Sequence, residues 1–195
     1  MKSDIILCGV GGQGILSIAA AIGLAALEKK MNVKQAEVHG MSQRGGAVQS
    51  HLRLSDREIS SDLIPYGAAD MILSVEPMES LRYLPYLSPG GWLLTNTAPF
   101  ENIPAYPEKS EIEDEIRKTE NHIMINADEI ARDCGSVRAS NMVMLGAGSI
   151  YTGIGKEYFL SSVRTLFKKK GEEIIALNIS AFEEGLKAAE AYKIK

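Results

Sequence analysis

The strongest constraint in this chain is the six-residue stretch GVGGQG at positions 9–14. Gly9, Gly11 and Gly14 meet the pattern G-x-G-x-x-G, directly after the apolar run Ile5–Cys8 and directly before a long apolar stretch from Ile15 to Leu27. Glycines at that spacing let a strand turn tightly into a helix, and this is how a doubly wound α/β domain opens. A second strand through NVKQAEV completes a β-α-β unit. In AVQSHLRLS, Val48, Ser50, Leu52 and Leu54 alternate with Gln49, His51 and Arg53, and DRE then turns into ISS. That pattern predicts an antiparallel hairpin added to the sheet.

Further strands are expected at DMILSV, at WLLTNT after a turn at SPGG, and at HIMIN. Pro77 suits the first turn of a short helix. Residues 98–121 are rich in proline and then acidic, with Glu111, Glu113, Asp114 and Glu115. They predict a surface excursion with one short exposed helix whose charges form a solvated face. Asn126 with Glu129 forms a capping box, and Gly135 stops the helix it starts. The remainder is helical, with starts near Ala139, near Lys156 and after Gly171. The whole of 1–195 is therefore expected to be one Rossmann-like three-layer α/β domain. Its sheet is mostly parallel, with an antiparallel hairpin and a helical C-terminal segment. Along the last helix Ile175, Ile179, Phe182, Leu186 and Ala189 make an apolar stripe flanked by Ala181, Gly185 and Ala188. The stripe fits close packing within the same domain, or a contact with a second copy in a homodimer.

Whether GVGGQG binds a dinucleotide depends on its surroundings. Glu37 stands near the place of a ribose-binding acid, which favours NAD or FAD. Against this, Gln13 puts a bulky amide into the loop that would approach the phosphates, and Glu37 runs into the polar stretch VHGMSQRGG instead of a plain connection. A triphosphate P-loop fails outright, because Ile15 and Leu16 occupy the positions of its Lys and Ser/Thr. If the first two strands are parallel neighbours, GVGGQG and HGMSQRGG leave the same sheet edge and face each other across one crevice. Gly45 and Gly46 free backbone amides there, and Arg44 adds a planar donor fork suited to carboxylate or phosphate. The plainer alternative is that Gln43 and Arg44 stitch loop to loop.

No catalytic set is visible. His39, His51 and His122 are scattered without a neighbouring nucleophile, and Ser42 lacks the G-x-S-x-G elbow. Cys8 and Cys134 have no C-x-x-C spacing, so they are expected to be ordinary thiols, neither metal ligands nor holders of an iron–sulfur cluster. A net charge of −4 and a pI near 5.5 argue against a nucleic-acid footprint. The run Lys168–Lys170 suits a helix end. With no stretch long enough for a bilayer and a strand starting by Ile5, the expectation is a soluble cytoplasmic chain with no membrane contact. Two glycine loops without a catalyst suggest a subunit that assists another chain.

GVGGQG, EVHGMSQRGGAVQSHLR, RASNMVMLGA and NISAFEEG together resemble the gamma-type subunits and domains of the 2-oxoacid:ferredoxin oxidoreductases. The form GMSQRGG is most similar to the beta subunits of the indolepyruvate branch. The resemblance runs from Asp4 to Gly185. It implies a larger catalytic subunit that carries thiamine diphosphate, magnesium and 4Fe-4S clusters. That subunit would decarboxylate an aryl 2-oxoacid oxidatively, pass the acyl group to coenzyme A and send electrons to ferredoxin. This chain would hold none of those cofactors and would meet ferredoxin only indirectly. The implied ligand or subunit contacts are Gly9, Gly11, Gly12, Gln13 and Gly14 in the first loop. The second loop contributes His39, Gly40, Met41, Ser42, Gln43, Arg44, Gly45 and Gly46, and the RASNMVMLGA motif contributes Asn141. A free-standing NAD or flavin module and a purely structural assembly subunit remain the alternatives.

Overall fold

The computed structural model describes residues 1–39 and 45–192. β1 (Lys2–Val10) leads into α1 (Ile15–Glu28), followed by β2 (Asn32–His39) and β3 (Ala47–Ser55). Next come β4 (Ala69–Ser74), α2 (Pro77–Arg82), β5 (Leu87–Asn96), α3 (Lys109–Arg117), β6 (His122–Ile125) and α4 (Ala127–Asp133). The chain then runs through α5 (Ser140–Ser149), α6 (Lys156–Phe167) and α7 (Glu172–Tyr192).

The six strands lie in one sheet, in the order β2-β3-β1-β4-β5-β6. β1, β4, β5 and β6 are parallel, while β3 runs antiparallel to both β1 and β2. This is the expected mixed α/β sheet with two corrections. β2 does run in the same sense as β1, but β3 lies between them. The hairpin partner of β3 is β2, and residues 59–61 form no strand. The reason lies in side-chain character. Leu52 and Leu54 are fully buried and His51 nearly so, which suits an interior strand. β2 carries Lys34, Gln35 and Glu37, which suit an edge. The expected turn at SPGG is likewise part of β5. Residues 88–91 bulge out between the pairs Ala69–Leu87 and Met71–Trp92. There the missing N–H of Pro89 costs no ladder bond.

Helices cover both faces. Ile5 and Leu7 point into a large core with Ile18 and Ile22 of α1, Met142 and Leu145 of α5, Phe159 of α6 and Phe182 of α7. Phe159 and Phe182 stack at 5.6 Å. Ile6 and Cys8 point the other way, into a smaller core with Ile72, Leu93, Tyr83, Ile112 and Ile116. The acidic helix α3 thus buries Ile112 and Ile116 while Glu111, Asp114 and Glu115 stay exposed. The capping box forms as expected, with the Glu129 N–H donating to Asn126 at 3.2 Å. The stripe on α7 closes within the chain, chiefly on α5. A Cβ on Gly146 would lie 1.9 Å from the Phe182 carbonyl oxygen, and one on Gly185 would lie 1.9 Å from that of Val143. Backbone meets backbone at this crossing.

Candidate functional site

The chain leaves β1 for a helix on one face and β4 for a helix on the other, so the carboxyl ends of β1 and β4 form the switch point where open α/β sheets bind ligands. The first glycine loop sits there. Gly14 caps α1 in the left-handed region, at φ 83°. A Cβ on it would lie 2.4 Å from the Asn141 amide nitrogen, which donates to the Gly14 carbonyl at 3.4 Å. Asn141, near the start of α5, is thereby brought to the loop. Gly9 is pressed against Val75 at the end of β4, where a Cβ would come within 2.4 Å. Around Gly12 a Cβ would meet nothing within 4 Å.

Gln13 decides what this crevice can hold. The Val10 N–H donates to its Oε1 at 2.8 Å, and its Nε2 reaches the Val75 carbonyl in a long contact of 3.5 Å. The side chain turns back over its own loop and spans from the end of β1 to the end of β4. In a dinucleotide fold that space admits the pyrophosphate and leaves backbone N–H groups free to bind it. Here the Val10 N–H is already engaged by Gln13.

The second loop joins the first without an intervening crevice, which corrects the sequence expectation for its described end. The Gly11 N–H donates to the Gly46 carbonyl at 2.9 Å, and the Gly45 N–H to the Gly11 carbonyl at 3.4 Å. These bonds extend the β1–β3 ladder past the Val10–Ala47 pair. Because β3 is the direct neighbour of β1, its first residues must arrive beside the end of β1. The backbone of His39 ends β2. Gly40, Met41, Ser42, Gln43 and Arg44 lie outside the described residues.

Beside the loops the structure adds residues that sequence reasoning passed over. Glu76 follows β4 and is completely buried. Its carboxylate caps α2 by accepting from the Glu79 N–H at 2.7 Å. It also accepts from the Phe100 N–H at 3.3 Å and from the Tyr106 hydroxyl. Those donors stand in for the water a buried carboxylate has lost. Burial, together with the bond to Glu76, pushes the Tyr106 phenol well above its ordinary range. The Asn102 amide nitrogen donates to the Gly45 carbonyl at 2.7 Å. The one available signal was Glu76 itself, an acid between an apolar strand and a helix-starting proline.

The remaining candidates are structural. Burial pushes the Cys8 thiol up to about 12; a hydrogen bond with Ser74 opposes this, and the Glu79 and Glu76 carboxylates add to it. No thiolate forms there at neutral pH. His51 is buried, accepts from the Ile64 N–H at 3.0 Å, and is held below its ordinary pKa by burial and then by Arg53. His122 is bonded to the Thr119 carbonyl at the far end of the sheet. A cleft of about 260 Å³ opens at the amino edge of β1, lined by Lys2, Asp4, Arg53 and Glu58 among others. Its charges answer one another, with Arg53 and Lys2 both on Asp4 at 2.7 Å. Among the described residues no group of three or more His, Cys, Asp or Glu assembles as a metal site, and no helix is long and apolar enough to cross a membrane.

Comparison with known proteins places this arrangement. The family model described as pyruvate ferredoxin/flavodoxin oxidoreductase matches residues 4–188. The indolepyruvate oxidoreductase subunit IorB of Methanothermobacter thermautotrophicus is 37% identical, over 97% of this chain and 98% of that protein. Among solved structures, the keto/oxoacid ferredoxin oxidoreductase gamma subunit of Geobacter sulfurreducens superposes with a TM-score of 0.72 at 25% identity, covering 97% of this chain and 99% of its own. The 2-oxoglutarate:ferredoxin oxidoreductase of Magnetococcus marinus, solved with 2-oxoglutarate, coenzyme A and succinyl-CoA bound, superposes with a TM-score of 0.77 at 23% identity. This chain covers 31% of that longer one.

Proposed function

We propose a role for this chain from one premise: it belongs to the pyruvate ferredoxin/flavodoxin oxidoreductase family, as a relative of the indolepyruvate oxidoreductase subunits. In this role it is the small subunit of a ferredoxin-dependent 2-oxoacid oxidoreductase acting on indolepyruvate and similar aryl 2-oxoacids. A larger subunit carries thiamine diphosphate, magnesium and 4Fe-4S clusters, and it transfers the acyl group to coenzyme A. The residues of this chain do not fit a cluster, since Cys8 is sealed in β1 and Cys134 stands apart at the end of α4. No step of the chemistry is assigned to it. Its contribution is a shaped edge, made of residues 9–14 with Gly45, Gly46 and Asn141, set against the larger subunit beside the substrate entrance. Arg44, in the GMSQRGG stretch that follows β2 in sequence, is the anion donor of this reading.

The observation that carries this reading is the Gln13 bridge. The chain keeps the form of a ligand-binding loop, while its switch-point crevice is spanned by its own side chain. The test is co-expression with the larger subunit, followed by the ferredoxin reduction that depends on indolepyruvate and coenzyme A. The complex is expected to turn over, and the isolated chain to be colourless and inactive. By calorimetry the isolated chain is expected to bind NAD and FAD no better than about millimolar. Micromolar binding of either dinucleotide would restore the free-standing module and place Glu37 on a ribose.

A further inference from the structure

The proline-rich segment 98–107 is more than a surface excursion, because its bonds run in both directions. On one side the Phe100 N–H and the Tyr106 hydroxyl donate to the Glu76 carboxylate, two residues before and four residues after Asn102. On the other side the Asn102 amide nitrogen donates to the Gly45 carbonyl. Glu76 itself cannot turn. One carboxylate oxygen is tied to the Glu79 N–H, and its carbonyl accepts from the Ser74 hydroxyl at 2.5 Å. Gly45 is the residue that needs an external hold. It stands in the left-handed region at φ 79°, a Cβ on it would meet nothing within 4 Å, and among the described residues its N–H makes a long 3.4 Å bond to Gly11.

From this geometry we propose that Asn102 is a positioning residue for Gly45, at the described end of the second glycine loop, holding it against Gly11, and that Glu76 grips the segment on either side of Asn102 to keep it there. The Asn102 carboxamide oxygen supports this assignment: it is buried and has no hydrogen-bond partner among the described residues. An amide placed for stability would pair both ends, since an unpaired buried acceptor is unfavourable. This one is placed for the bond it makes to Gly45. The inference rests on the reading that this edge meets the larger subunit.

The experiment uses Asn102→Ala and Asn102→Asp, in the free chain and in the assembled enzyme. Aspartate keeps the size but replaces the amide nitrogen with a second oxygen, which cannot donate to Gly45 when ionised. In the free chain, hydrogen exchange at residues 45–48 is expected to speed up about 2- to 10-fold in both variants, the loss of one hydrogen bond. Exchange in α5 and α7 stays at the parent rate. In the assembled enzyme the KM for coenzyme A or indolepyruvate rises by a similar factor, with kcat nearly unchanged. Tyr106→Phe, which loosens the grip without touching Asn102, shows the same pattern more weakly. Parent-like exchange at 45–48 in both Asn102 variants overturns the assignment. Faster exchange with unchanged KM and unchanged assembly keeps the anchor, and shows that the edge is not a contact surface.

Discussion

Where α5 crosses α7, a Cβ on Gly146 or Gly185 would lie 1.9 Å from a carbonyl oxygen of the other helix; at Gly12 and Gly45 a Cβ would meet nothing within 4 Å. The helix crossing uses glycine for proximity, so its glycines serve stability. The carboxyl edge uses glycine for backbone shape, with φ at 105° and 79°, where a Cβ would press on no described residue. Identical residues in one chain thus serve close packing at one place and backbone shape at the other, and in the role proposed above the second belongs to the contact with the larger subunit.

The difference is most open to attack at the crossing. Gly185→Ala is expected to cost about 3 kcal/mol or more, because the methyl has only backbone to push against. That is a fall in thermal midpoint of about 6–12 °C for a chain of this size. A fall of a degree or two would mean that the helices separate freely. Arg44→Ala should do the reverse. The free chain keeps its midpoint, while the assembled enzyme loses about 1.5–3 kcal/mol of interaction with an anionic substrate or partner group, roughly 10- to 150-fold. Arg44→Lys restores part of it, keeping the charge without the fork. If the Arg44→Ala enzyme assembles and turns over like the parent, the loop GMSQRGG is packing only.

Gly12→Ala sharpens the contrast by adding a methyl where there is room. The remaining penalty is the positive φ, about 1 kcal/mol, and a loss as large as that of Gly185→Ala would dissolve the distinction. The smallest effect expected is none. With an aromatic disulfide reagent, Cys134, half-buried beside α7, reacts in the folded chain. Cys8, sealed in the smaller core where its thiol reaches the Glu79 carbonyl of α2, with its pKa pushed up to about 12, reacts only on unfolding. Rapid modification of Cys8 in the native chain would show that the edge opens.

The seam was legible in the sequence and the edge only partly so, for physical reasons. The stripe Ile175–Ala189 and its flanking small residues repeat at helical spacing, so the close contact of α7 could be read from one segment. The strands at the edge were also visible, but their order was not. Alternation in Ala47–Ser55 marks a strand without saying which neighbour it pairs with, and the burial of Leu52 and Leu54 against the charge of Lys34 and Glu37 settled that β3 lies inside β2. Gln13 could be recognised as an obstacle to phosphate, though not as a bridge to Val75, which lies 62 residues away in sequence. Glu76, Phe100, Asn102 and Tyr106 come together from a helix cap and a proline-rich segment that share no periodicity. Only the unusual placement of an acid at the end of an apolar strand hinted at buried donors.

The central claim is that the glycine edge, and not the helical seam, is what this chain offers its larger subunit. Hydrogen exchange of the chain alone and in the assembled enzyme tests it most directly. New protection is expected at residues 9–14 and 45–48, with exchange along α5 and α7 the same in both states. Protection confined to the outer surface of α7 or to the β2 edge, with the glycine loops exchanging as freely as in the isolated chain, would contradict it.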